Sequence, residues 1–390
     1  VTVSKAIKVE GTTTQLTEAL VSGSKTVSAS TSLVTVTDAA YSTGNTATIA
    51  ATALSAIGNT TSGTVTAKHA IRITGTSLEV TNALVTSSSK IIAGQSGTVA
   101  DVSTTVSAEQ GAGFTNIDNV NALFTSGVED SIAQLTSSDT KLSTNLSTIT
   151  NFDTSTKITI NDDEFHATTN TATISAQKIA LVGGSTSGLV TVSKAIKITG
   201  TTSELTEALV SGSKTVSAGT ALVTVTDNAF HATTNTATIA ATTLSGIGNA
   251  TTGTVTVSNA IKVEGTASQL TEALVSGSKT VSAGTSLVTI TDNAFHATNN
   301  TATIAATALS GIGNSTTGTV TVSNAIKIDG TTSEVTDALV DASKSVVAAN
   351  ALVNISSAAS ISQFDAINAK TSGTITYTIS DTAANVTTAN

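Results

Sequence analysis

The chain copies itself every 65 residues, and that period limits what it can fold into more than any other feature. The string from Val190 to Thr254 recurs almost unchanged from Val255 to Thr319. Residues 1–64 are the same unit shortened by one, with AAYSTGNT standing where later copies have NAFHATTNT. Residues 65–189 read as a divergent double-length repeat. It opens on VTAKHAIRITG, leaves the pattern after Lys90 and regains it at Asp162, so residues 91–160 look like an insertion. Residues 320–390 form a terminal repeat that departs from the others after Ala349. A fixed period implies one structural unit that buries its apolar faces against neighbouring copies. The expected organisation is therefore one continuous array.

Within each copy, three apolar segments lie between Gly, Ser and Asn clusters. Val255, Val257, Ile261 and Val263 alternate with Thr256, Ser258, Lys262 and Glu264. Side chains alternate faces along a strand, which places the aliphatics inside and the polar residues outside. Val190, Val255 and Val320 begin this pattern in successive copies and form a structural column. One piece reads as helix: Leu205, Ala208 and Leu209 share a face, and Thr201 with Glu204 fits a capping box. With 39% apolar and 11% charged residues, rich in β-branched types, the chain has surface to bury and leans towards strand. The predicted fold is all-β: a parallel β-solenoid with about three coils per repeat and a short helical turn in the first coil of each.

Composition also narrows function. There is no Cys, Pro, Met or Trp, so disulfides and thiolate chemistry are excluded. A net charge of −9 with Arg72 as the single arginine argues against nucleic-acid binding. No apolar run reaches the roughly 20 residues of a membrane-spanning helix. Val1 opens directly in repeat sequence, with no initiator Met or leader, so the chain reads as processed or as part of something larger.

Several residue types recur in register. His166, His231 and His296 sit in FHAT turns, too far apart in a stacked array to share a metal. Asp38, Asp162, Asp227 and Asp292 form a second column, read as turn residues. Asp162, Asp163 and Glu164 are the one place with three adjacent acids and the calcium candidates, although the glycine-rich nonapeptides of calcium-binding β-rolls are missing. Phe165, Phe230 and Phe295, with Tyr41 at the equivalent position, form an aromatic column read as a corner plug. Lys25, Lys90, Lys214, Lys279 and Lys344 recur as surface charges. No Ser-His-Asp elbow, phosphate loop or HExxH string is present, so no catalytic residue and no bound cofactor are expected.

Phrases such as VTVSNAIKIDGTTSEVTDALV (Val320–Val340) and SGTITYTISDTAANV (Ser372–Val386) resemble repeats of very large secreted surface proteins of bacteria, cyanobacteria especially. The resemblance implies an extracellular or cell-surface location and membership of a long protein. The expected function is structural: a surface filament or fibre formed by stacking and self-association, with ends that expose strand edges. The alternatives are a passive adhesin stalk and an ice- or carbohydrate-binding solenoid. The expected partners are further copies of the chain, with the cell surface or a polysaccharide as additional candidates.

Overall fold

The computed structural model describes every residue except 4, 24–26, 87–90, 93–94, 278–280, 384 and 386–390. The alternating Val and Thr runs form short strands that pair in parallel, and parallel pairing requires a crossover between neighbours, usually a helix. Helices duly follow the strands. The expectation of an all-β parallel β-solenoid is overturned: among the described residues there are thirteen α-helical segments and seven mostly parallel sheets, so the fold is mixed α/β. The segment read as the third coil shows why. Ala306–Asn314 is a helix that buries Ala306, Leu309, Ile312 and Gly313, the one-sided stripe of a 3.6-residue period.

The foreseen helical piece is composite. Thr202–Leu205 is α-helical and capped by the reciprocal Thr201 and Glu204 bonds, and Thr206–Val210 continues as a π-helix. The same TEALV string is a π-helix at Thr17–Val21 and Thr271–Val275. In the terminal repeat the equivalent Thr332–Leu339 is plain α-helix.

The described chain divides into two compact units. One comprises Val1–Asp162, Lys178–Ser193 and Ser213–Val216; the other comprises Asp163–Gln177, Lys194–Gly212 and Ser217–Asn390. In the second unit one sheet runs, in spatial order, Ile174–Ser175, Lys197–Gly200, Leu222–Val225, Val255–Val257 and Val281–Ser282. Another runs Thr238–Ala240, Lys262–Gly265, Leu287–Ile290, Val320–Val322 and Val346–Val347. The chain leaves the first sheet after Val225, contributes Thr238–Ala240 to the second, and returns to the first at Val255. Each sheet thus takes strands from three successive repeats, and no repeat closes on itself.

Register makes this interleaving consistent. Ile198, Val223, Val255 and Val281 pair in one row, and Val263, Val288, Val320 and Val346 pair in the row 65 residues on. All eight are buried, as are Val190, Val257 and Val322. Thr199, Thr224, Thr256 and Ser282 form the matching outward row. The first unit repeats the scheme with Val9, Val34, Val65 and Ile91 in one row. The stretch 91–160 joins it: Thr98–Val102 and Val120–Phe124 extend a parallel sheet, and Ala108–Thr115 packs on Thr144–Phe152, where Gly111 gives room to Ile149.

A polar device ties a late turn of each repeat to earlier backbone of the same repeat. Buried Thr251 donates its hydroxyl to Ala221 O at 2.6 Å and accepts from Gly253 N at 2.9 Å. Thr61, Thr186, Thr316 and Thr371 do the same in their repeats. Gly253 is required by close approach, since a Cβ there would lie 2.3 Å from Ala221 O. No helix among the described residues is long and apolar enough to cross a membrane.

Candidate functional site

The Asp column serves the helices. Asp227 accepts from Thr202 N at 2.6 Å, and Asp38 and Asp292 accept from Thr13 N and Ala267 N at the same distance. Each carboxylate thus satisfies a free N–H at the start of a helix 25 residues earlier and meets the positive end of its dipole, in place of the local turn bond expected. Asp162 serves Ile132 N in the same way at 2.7 Å, and Asp381 serves Ile361 N at 3.0 Å. The Asp381 carboxyl is held below the usual carboxylate range by that N–H first, then by the Asn385 side chain and Thr382 N.

The calcium candidates are separately engaged. Asp162 is spent on Ile132, and Asp163 pairs with Lys194 Nζ at 3.2 Å. Glu164 is exposed, and its carbonyl accepts from the Asn170 side chain. Among the described residues no group of three or more His, Asp or Glu side chains is placed to hold a metal ion.

The histidines and aromatics build one recurring loop. Phe230 N donates to Ala260 O at 2.8 Å, and His231 and Asn235 exchange backbone bonds that close the turn. The rings of Phe165, Phe230 and Phe295 are half-buried, each under a lysine: Lys197 at 4.7 Å, Lys262 at 5.3 Å and Lys327 at 5.1 Å from the centroid. In the first repeat Tyr41 lies under Arg72 at 5.7 Å. Such pairs contribute about 0.5–1 kcal/mol at exposed sites. His231 and His296 are exposed at the turn tips, where Nδ1 accepts from the backbone N–H of Thr233 and Thr298.

The lysine column is not uniformly superficial. Lys344 is only 4% exposed, bonded to Asp337 and 3.4 Å from Asp341, with Ser310 donating to Asp337. Lys214 is half-buried, and Lys25, Lys90 and Lys279 lie outside the described residues.

A groove that the sequence reading did not single out recurs in both units. It lies between the helix Ala241–Asn249, the composite helix Ala267–Val275 and the strand Thr303–Ala305, encloses about 730 Å³, and is lined by Ser268, Thr271, Asp292, Ile304 and Ala308 among others. In the first repeat an equivalent groove of about 620 Å³ is lined by Thr14, Thr17, Asp38, Ile49 and Ala53. The residues lining the second groove match positions in the first, because the residue missing from the first repeat falls in the Tyr41–Asn45 turn, outside the lining, whereas Thr242, Ser245 and Gln269 line the first groove alone. The hydroxyls of Thr17 and Thr271, which open the π-helices, are buried and find no hydrogen-bond partner among the described residues. Near-perfect repetition of TEALV was the available signal for this site. Comparison with protein-family models, curated proteins and solved structures finds no match to this chain.

Proposed function

We propose that this chain is a non-catalytic, tension-resisting repeat segment of an extracellular surface filament or fibre, in which copies of the protein associate with one another. One observation carries the reading: the two five-stranded sheets are each stitched from three successive repeats, and every four-stranded sheet joins two. Separating neighbouring repeats under tension breaks the backbone ladders of shared sheets, whereas a string of independent modules yields at its linkers. The extracellular location is supported by the cysteine-free, weakly charged composition and by the resemblance to large secreted repeat proteins.

Single-molecule stretching tests the mechanical part. One released repeat of 65 residues adds roughly 230 Å of contour length at about 3.5 Å per residue. Interleaved sheets should release in steps longer than one repeat. A regular sawtooth with one-repeat steps would refute the proposal. Electron microscopy of the purified chain tests association: filaments are expected, and uniform single particles at high concentration would leave only the passive-stalk role.

A further inference from the structure

We propose that the first repeat carries a docking surface for a polypeptide segment in which an aromatic residue is followed by a Thr-Ile-Ala strand, received as an added parallel strand. The other repeats show what belongs there. Each of the strands Arg72–Gly75, Lys197–Gly200, Lys262–Gly265 and Lys327–Gly330 pairs along one edge with a short strand of the repeat before it, such as Thr238–Ala240 on Lys262–Gly265. The equivalent strand Lys8–Gly11 stands at the edge of its sheet, and no strand among the described residues pairs with its outer side. An open parallel edge is a template for one more strand.

The residues around that edge match the missing neighbour. Ile7 is 48% exposed, whereas Ile71, Ile196, Ile261 and Ile326 at the same position are each 2% exposed. Val9 is half-buried, whereas Ile73, Ile198, Val263 and Ile328 are completely buried. Lys8 holds the place of Arg72, Lys197, Lys262 and Lys327, each of which lies over an aromatic ring of the preceding repeat. No ring among the described residues covers Lys8, which pairs with Glu10. A Cβ added to Gly75, Gly200, Gly265 or Gly330 would lie 2.8–2.9 Å from the Cβ of Ala51, Ala176, Ala241 or Ala306, the alanine that follows the paired strand. A Cβ on Gly11 would instead find Gln15 and Leu16 as its nearest neighbours, at 3.3–3.5 Å, and no described alanine stands against it.

The occupied repeats define the occupant. In them Phe230 N donates to Ala260 O at 2.8 Å, at the position that Ala6 holds in the first repeat, and the ring meets the cation. The Thr-Ile-Ala strand then pairs, and the next alanine reaches the glycine. The four segments of this kind in the described chain are already paired with the repeats that follow them. The occupant is therefore a further segment of the same pattern, presented by a partner polypeptide.

Fluorescence anisotropy of a labelled peptide with the sequence of residues 228–249, titrated with the full chain, tests the assignment. Saturable binding is expected, and the same residues in scrambled order should not bind. Gly11→Ala fills the alanine's place, and Ile7→Asp sets a charge on the uncovered apolar surface. Each should weaken binding roughly tenfold or more while keeping the wild-type circular dichroism. Lys8→Ala should weaken it roughly twofold to fivefold, as befits one exposed cation–π pair. A peptide carrying Ile239→Asp should lose roughly tenfold or more with the chain itself unchanged, which keeps the test sharp if a chain variant fails to fold. No binding, equal binding of the scrambled peptide, or binding unchanged in folded Gly11→Ala and Ile7→Asp variants would each overturn the proposal. So would a dimer of the chain that Gly11→Ala abolishes and the peptide does not displace, since the surface would then belong to a second copy. Peptide binding by a chain that forms no filaments would uphold this site while removing the self-association proposed above.

Discussion

Replacing Thr251 by Val isolates the hydroxyl that ties the last turn of its repeat to Ala221 of the same repeat, since the two side chains have nearly the same shape. The hydroxyl donates to Ala221 O at 2.6 Å and receives Gly253 N–H at 2.9 Å, in a side chain only 8% exposed. An interior carbonyl that loses its donor costs about 1–3 kcal/mol, and the N–H loses an acceptor besides. The methyl that replaces the hydroxyl returns at most about 0.8 kcal/mol. The expected net loss is about 2 kcal/mol. Urea unfolding should show it as a lower midpoint at unchanged slope. Thr252→Val is the control: its hydroxyl also reaches a carbonyl, Gly219 O at 3.2 Å, but the residue is exposed and should change stability by under about 0.5 kcal/mol. If the two variants lose the same amount, the buried hydroxyl does not hold that turn and the reasoning fails.

Gly253→Ala should be worse than Thr251→Val, costing several kcal/mol or preventing folding, because its Cβ would meet backbone atoms that cannot step aside; a thermal melt within 2 °C of wild type would contradict the 2.3 Å approach. Leu244→Ala, in a helix that buries this side chain completely, should cost about 2–5 kcal/mol by the same assay, whereas Phe230→Ala in the half-buried loop should cost less. The Asp337–Lys344 cluster predicts a pH window. Hydrogen bonds from the Lys344 ammonium and then Ser310 hold the Asp337 carboxyl below its ordinary range, and the bond to Asp337 raises Lys344. The depressed carboxyl contributes stability that is full above the unfolded value near 3.9 and lost as pH falls through the folded value. The raised lysine contributes below about 10.4 and loses its contribution as pH rises through the folded value. Asp337→Asn should therefore be less stable than wild type between about pH 5 and 9 and should match it near pH 2, as read from paired urea melts.

The strands were legible because Val255, Val257 and Val263 alternate with polar neighbours, and alternation is a local signal. The helix Ala241–Asn249 was not, for identifiable reasons. Its N-cap is Ala240, with no side-chain cap bond, and Gly246 and Gly248 weaken its intrinsic preference. It is held instead by burial of Ala241, Leu244 and Ile247 against the rest of the fold, and a window of sequence does not contain those neighbours. The capped helix after Thr201 carried its own start signal and was readable, although its π continuation was not. Strand order was equally hidden. Thr238–Ala240 pairs with Lys262–Gly265 and passes over Val255–Val257 between them, a choice settled by packing. The Asp column was found by its period, but its partners lie 25 residues away, so its capping role became visible only in three dimensions. The groove depends on the same distant neighbours, and only the nearly constant TEALV string hinted at it.

The interleaved sheets also bear on how such a gene can change length. Because Val255 pairs with Val223 and Val281 while Val320 pairs with Val288 and Val346, these strands of the regular repeats have neighbours equivalent to those of their counterparts one repeat away. Unequal recombination that adds or deletes one whole unit therefore reconnects each ladder to an equivalent partner, wherever the crossover falls. A gain or loss of half a unit would set a strand where the ladder requires a crossover helix. Length polymorphism among natural alleles should thus come in whole multiples of the period, with single-residue changes confined to turns such as Tyr41–Asn45.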